Sequence, residues 1–326
     1  MLASRPERFL DTVRRKGKAM RAFTLDSFDV QPGLRDDIPA PEAGDDELLV
    51  RVRASSVNPV DVFIAAGALR EMAEHVFPVI LGRDFAGVVE RVGSSVTHYR
   101  VGDEAFGFVL HANPAVHAGS WAELIAVPED LQAAAKPRNV SFTEAGAAPV
   151  AGLSAMAAFD ALAPAAGETV LIVGAAGGVG SFFVQLTAAA GAHVVASALR
   201  EDHDYLRGLG AGELVDRDAD VAAAVREAHP DGVDAILDVV FQTPDTSLLK
   251  EGGRLASTIG AAGEGPGRFN VLAEPTHSNL QRLAELLDSG ALRVPIQRTY
   301  GLEQAGEALH ALPTTHTQGK LALRLV

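Results

Sequence analysis

Leu171-Ile172-Val173-Gly174-Ala175-Ala176-Gly177-Gly178-Val179-Gly180 is the stretch whose reading decides the fold. An apolar run ends in small residues and leads into residues 181–190, the order of strand, tight turn and helix that lets backbone N–H groups meet a pyrophosphate. The register departs from G-x-G-x-x-G. Ala175 stands where the first glycine falls, followed by Gly177 and Gly180, with Gly178 and Val179 between them. A turn that merely packs a helix uses the same small residues, so the surrounding chain has to decide whether this one binds a dinucleotide.

The texture of the chain changes around residue 142. Before it lie short β-like pieces at 20–28, 48–57, 87–92, 105–110 and 122–127, broken by Pro, Gly and Asp, which predict a mainly β domain. After it, β runs at 170–173, 193–197, 213–215, 235–239 and 254–259 alternate with helical segments such as 179–190 and 218–228. That alternation predicts an α/β unit, a doubly wound parallel sheet. The helix at 279–287 and the stretches 294–299 and 320–326 do not extend the alternation and are expected to return to the first domain.

With 326 residues, 48% hydrophobic and 21% charged, the chain has material for two cores. A net charge of −14 repels phosphate backbones and anionic membranes, so neither nucleic acid nor a membrane is an expected partner. The absence of cysteine excludes disulfides and thiolate metal ligands. No apolar run approaches the roughly 20 residues of a membrane span. Residues 1–19 carry Arg5, Arg8, Arg14, Arg15, Lys16 and Lys18 against Glu7 and Asp11 and lack the apolar core of a secretory signal. They read as an extension, with a mitochondrial presequence as the alternative; the expected location is cytoplasmic.

Val57-Asn58-Pro59-Val60-Asp61, the run Pro78 to Val89 that contains Gly82-Arg83-Asp84, the glycine turn, and Gly319-Lys320-Leu321-Ala322-Leu323 together resemble the medium-chain dehydrogenase/reductase superfamily, in its zinc-free quinone oxidoreductase (zeta-crystallin-like) branch. The resemblance implies a GroES-like mainly β catalytic domain (20–139 and 271–326) interrupted by a Rossmann NADPH-binding domain (140–270), with the substrate and the nicotinamide meeting between them. It also implies a homodimer, for which the apolar run 255–259 is the expected interface. Laid on the zinc-dependent relatives, the chain has Asn58, Arg83 and Ala151 at the metal-ligand positions and Asp84 at the neighbouring acid. An amide, a guanidinium and a methyl do not hold Zn²⁺, so no metal is expected in the cleft.

The second Rossmann strand ends in Ser197 where NAD-selective members carry an acid. Arg200 then offers a guanidinium to a 2′-phosphate, or pairs with Glu201 and Asp202 on the surface. Arg217 is a second candidate cation or a solvated loop residue. By resemblance, Ser154 lies near the nicotinamide ribose, unless its hydroxyl bonds its own helix backbone. Val240, Ile259 and Gly260 follow strands at the carboxyl edge, where such sheets bind ligands.

For the chemistry, Asn58 either donates to a substrate carbonyl or locks the Asn58-Pro59 turn. Asp61 is expected to organise that loop. Arg83 and Asp84 are expected to pair, with each other or across the former metal position. Phe63, where some relatives carry tyrosine, stacks on a flat ring but gives no proton. His111 and His117 titrate in a useful range and are weighed as proton donors against being plain solvated histidines. These features predict hydride transfer from NADPH to a quinone or α,β-unsaturated carbonyl. The alternatives are a dedicated enoyl-thioester or biosynthetic enone reductase and, from another class, a non-catalytic NADPH-binding structural protein. A phosphopantetheine thioester favours a cationic cleft entrance, for which Arg51, Arg53, Arg70 and Arg83 are the candidates.

Overall fold

The computed structural model describes residues 18–110 and 118–325. The chain opens with strands β1 (Ala19–Leu25), β2 (Gly33–Pro39) and β3 (Glu47–Val57), then a short helix, Pro59–Ala65, and continues through β4 (Val79–Ile80), β5 (Asp84–Val92), β6 (Glu104–Phe108), β7 (Leu124–Pro128) and β8 (Ala134–Ala135). The α/β half follows with β9 (Thr169–Val173), β10 (His193–Ala198), β11 (Glu213–Asp216), β12 (Val233–Asp238), β13 (Leu249–Ser257) and β14 (Arg268–Asn270), and the chain ends with β15 (Ile296–Gly301) and β16 (Lys320–Arg324). Among the described residues no helix is long and apolar enough to cross a membrane.

The second half forms a six-stranded sheet in the order β11-β10-β9-β12-β13-β14, with every pairing parallel. β9 lies inside it because Val170, Leu171 and Ile172 are apolar on both faces, as a strand covered by helices on each side requires. The alternation predicted five strands; the sixth, β14, is only three residues long and carries no recognisable period. It has a consequence for the 255–259 run. β13 pairs with β12 on one side and β14 on the other, so this run is not a sheet edge, and the free edge on that flank is β14.

The first half is a barrel-like sheet in the order β15-β16-β3-β5-β6-β8, with β7 also on β3, beside a three-stranded sheet β2-β1-β4. β16 pairs antiparallel with β3, setting Leu321 against Val57 and Leu323 against Ser55. The chain's end therefore completes the domain begun at its start. The helix His277–Asp288 packs on both halves: it lies against β8, and Leu280, Leu283 and Leu287 enter the core that holds the helix Pro149–Leu162 and the parallel sheet. That Ala-rich helix is buried almost all round because it packs on the helix Gly178–Ala189 and β13 as well as on β5 and β6 of the other domain.

The glycine turn shows why its residues are small. Gly174 takes φ +87°, so the glycine that supplies left-handed backbone is one position before Ala175. Gly180, in the first turn of the helix Gly178–Ala189, sits so close to the turn that a Cβ there would lie 2.2 Å from the Gly174 carbonyl oxygen and 2.7 Å from the Ala175 Cα. Gly180→Ala is therefore expected to force the turn and helix apart and to destabilise the protein by about 1–3 kcal/mol, read as a lower urea midpoint at unchanged slope.

Candidate active site

A cleft of about 1160 Å³ runs between the two domains. One wall is the carboxyl edge of the parallel sheet, where β9 ends at Val173 and β10 at Ser197 and Ala198, and where Val239 and Ile259 follow β12 and β13. Opposite stand Val57 to Val60 and Phe63, at the end of β3 and on the helix Pro59–Ala65, and the floor is made by Gly319 and Lys320. Ligands of open parallel sheets bind at this edge because successive loops there diverge and leave a crevice.

Of the residues predicted for a dinucleotide, Ser154, Gly177, Gly178, Val179, Ser197, Arg217, Val240 and Ile259 all line the cleft. Ala175 and Gly180 are behind it, shaping the turn, and Gly260, at φ +79°, turns the loop after β13. Gly177 faces open space: a Cβ there would meet only the Gly174 oxygen, at 3.6 Å. The N–H groups at the start of the following helix point out of the turn with no intrahelical acceptor. These features fit a pyrophosphate.

Two cofactor assignments change. Arg200 is 85% exposed, is bonded to Asp216 Oδ2 at 2.6 Å and does not line the cleft. Its partner is Asp216, at the end of the neighbouring parallel strand, and not Glu201 or Asp202. Asp202 is instead fully buried and accepts from His316 Nε2 at 2.7 Å and Gln318 Nε2 at 2.9 Å. Arg217 is exposed on the cleft wall, and its guanidinium forms no ion pair among the described residues. Ser154 Oγ donates to Val150 O at 2.7 Å, so its hydrogen is held by its own helix and only acceptor capacity faces the cleft.

The catalytic wall is a buried polar cluster. Asn58 is 2% exposed; its Nδ2 donates to Asp84 Oδ2 at 2.9 Å and Ser56 Oγ at 3.3 Å, while its Oδ1 accepts from Lys320 Nζ at 2.5 Å. Asp84 Oδ2 and Ser56 Oγ are themselves 2.5 Å apart and so lie on one side of the amide, which anchors Asn58 structurally without using up both of its hydrogens. Asp84 also accepts from Ser56 Oγ at 2.5 Å and Val150 N at 2.7 Å, and its cation is Lys320 at 3.7 Å. The expected Arg83–Asp84 pair does not form. Arg83 turns back to Gly82 O at 3.0 Å, with Asp61 as its charge partner, and burial lowers its pKa to about 10. Burial likewise lowers the Lys320 ammonium, with the Asp84 and Asp61 charges opposing the shift.

Asp61 is expected to organise its loop, and its Oδ2 accepts the Asn58 N–H at 2.8 Å as the box that starts the helix Pro59–Ala65. Phe63 is half exposed on the cleft wall. Val240 and Phe241 share that exposure because buried Asp238 accepts both of their N–H groups, at 2.8 and 2.9 Å, and fixes the loop. His111 and His117 lie outside the described residues. Sequence reading missed Lys320, Asp238 and the Asp202–His316 contact. For Lys320 the available signal was a lysine at the head of an otherwise apolar terminal strand.

Fold and cleft define a two-domain oxidoreductase that meets its substrate between a GroES-like and a nucleotide-binding domain. Residues 44–138 match the alcohol dehydrogenase GroES-like domain and residues 209–323 the zinc-binding dehydrogenase domain. The NADPH-dependent alkenal/one oxidoreductase of Arabidopsis thaliana is 30% identical over 297 residues, 89% of this chain and 75% of that protein. The 2-methylene-furan-3-one reductase of Solanum lycopersicum is 30% identical over 89% of this chain and 74% of its own. The quinone oxidoreductase structure from Coxiella burnetii superposes with TM-score 0.83 at 30% identity, covering 95% of this chain and all of that one. The chain belongs to the medium-chain dehydrogenase/reductase superfamily, in its quinone oxidoreductase-like branch.

Zinc does not fit the cleft of this member. At the ligand positions Asn58 is a neutral amide whose oxygen already accepts from Lys320, Ala151 offers a methyl, and the Lys320 ammonium sits against Asp84.

Burial raises the Asp61 carboxyl to about 6, against the attraction of Arg83. The folded protein therefore holds a proton on Asp61 that the unfolded chain has released, and the stabilisation this gives is full below about pH 4 and lost as pH rises through about 6. Asp61→Asn keeps an acceptor for the Asn58 N–H and is expected to flatten that decline; chemical denaturation across this range compares the two slopes.

Proposed function

We propose that this protein transfers a hydride from NADPH to the electron-poor carbon of a quinone or α,β-unsaturated carbonyl compound, without a metal. The observation that carries the reading is the exchange of a metal-ligand set for the Asn58–Asp84–Lys320 cluster, beside a wall formed by Phe63, Val240, Phe241 and Ile259. NADPH supplies the hydride when bound. Gly177, Gly178 and Val179 would hold its pyrophosphate, Arg217 its 2′-phosphate, and Ser197 leaves that site without the carboxylate that repels a phosphate.

A conjugated acceptor suits such a site. The charge that develops on hydride addition spreads to a distant oxygen, so positioning and a few polar contacts replace the Lewis acid a simple ketone needs. The half-exposed apolar side chains give a flat ring surfaces to stack on and exclude water from the transfer. The names of the relatives from Arabidopsis thaliana and Solanum lycopersicum point to the same acceptor class. The thioester alternative loses its main support: Arg51 is bonded to Glu90, Arg70 sits 3.7 Å from Glu71, Arg83 is buried, and none of these or Arg53 lines the cleft. A homodimer is part of the proposal, built on β14 as the available sheet edge, and light scattering checks it.

The deciding assay is NADPH oxidation with quinones, enones, enoyl thioesters and saturated ketones. Quinones or enones are expected to turn over and saturated ketones not, and a preference for thioesters or ketones overturns the reading. For the cofactor, Arg217→Ala should raise the KM for NADPH about 10- to 100-fold, the range of a lost hydrogen bond to a charged group, while leaving NADH unchanged. Arg200→Ala, which frees only a surface pair, should leave the preference intact.

A further inference from the structure

We propose that His193, Glu213 and His229 form a zinc-binding site at the amino edge of the parallel sheet, remote from the catalytic cleft. His193 opens β10, Glu213 opens β11, and His229 closes the helix Val221–Ala228. The three side chains converge from neighbouring elements: His193 Nε2 is 3.2 Å and His229 Nε2 3.0 Å from the same oxygen, Glu213 Oε2. The three ligand atoms lie within 4.8 Å of one another.

Zinc bonds of 2.0–2.2 Å in a tetrahedron separate neighbouring ligand atoms by about 3.3–3.6 Å. Two of the three edges are already within a few tenths of an ångström of that spacing, and only the edge between the imidazoles has to adjust. Two imidazoles and a carboxylate are a donor set suited to zinc, with a fourth position left for water. No Arg or Lys among the described residues pairs with Glu213, whose ion-pair partners are the two histidines. Binding requires each neutral imidazole to carry its proton on Nδ1, leaving Nε2 free for the metal.

The backbone supports this arrangement. β10 and β11 pair in parallel with Val195 beside Glu213, which fixes the offset between His193 and the carboxylate. Gly212 lies against the His193 ring: a Cβ there would stand 2.9 Å from His193 Nδ1. A side chain at position 212 would push the imidazole away from Glu213. The side chains are 44%, 28% and 18% exposed, so metal can enter from solvent. The other end of β10, at Ser197, lines the cleft four residues on, roughly 13 Å away at strand rise. A metal here organises the sheet edge and takes no part in hydride transfer.

The test uses the full-length protein, stripped with chelator and carrying no histidine tag, titrated with Zn²⁺ by calorimetry and with Co²⁺ by visible absorption. The expected result is one equivalent of metal, a cobalt band of low-symmetry N/O coordination and a raised Tm. Glu213→Gln and Gly212→Ala should weaken binding at least about tenfold, and His193→Ala/His229→Ala should abolish it. NADPH-dependent turnover should be the same with and without metal, and retention of it in the variants shows they are folded. Equal zinc affinity in the double variant, or no cobalt band and no Tm shift in the parent at saturating metal, overturns the proposal. Turnover that needs the metal refutes the cleft reading instead, because the double variant then identifies which site holds it.

Discussion

The N–H of Gly319 donates to the carbonyl of Ala176 at 2.7 Å, and the pair forms part of a parallel bridge between Gly319 and Gly177. Through this contact the last strand of one domain is laid directly on the glycine turn of the other. One residue on, Lys320 enters β16, which is antiparallel to β3, and its ammonium reaches back to Asn58 Oδ1 and to Val57 O at 3.3 Å. Just before it, His316 and Gln318 both donate to Asp202, behind β10. A segment of five residues thus touches the catalytic wall, the glycine turn and the short helical turn that follows β10. The two walls of the cleft are joined where these contacts meet.

The same segment governs the charges. Four ionisable side chains, Asp61, Arg83, Asp84 and Lys320, are buried, two acids and two bases, and of these Lys320 lines the cleft. Such groups are tolerated only when their hydrogen bonds are supplied, and Asp84 is the hub: Ser56, Asn58 and the Val150 N–H all donate to it. Its link to Val150 joins β5 to the helix Pro149–Leu162 and so ties the GroES-like wall to the nucleotide-binding domain. Arg83 Nη2 and Asp61 Oδ1 are the exceptions, without a hydrogen-bond partner among the described residues, and that leaves a cost in the wall. The scaffold that elsewhere in the superfamily holds a metal here holds an ammonium in a ring of neutral and anionic acceptors.

Legibility in the sequence follows the range of the physical signal. The parallel sheet was readable because β9, β10, β12 and β13 are apolar over several consecutive residues, and the turn because close approach leaves room only for small residues. β14 was not readable, since three residues carry no period, and its pairing reassigned the 255–259 run from sheet edge to interior. Among site residues, those fixed by local sequence were found: Asp61 through the motif it shares with Asn58, and Gly177, Gly178 and Val179 through the turn. For Arg200 and Asn58 two roles stayed open, because the partners that hold them, Asp216, Asp84 and Lys320, are distant in the chain.

The sequence by itself determined the superfamily, the two-domain plan and the replacement of the zinc ligands, because residue type alone decides whether a side chain can bind a metal or allow a backbone to close. Only the tertiary structure decided which donors remain free. Asn58 is anchored by Asp84 and Lys320, Arg200 is paired with Asp216, and Arg217 is left facing the cleft without an ion pair among the described residues. What a side chain can offer a ligand depends on the partners already in place, and every one of those partners arrives from another part of the chain.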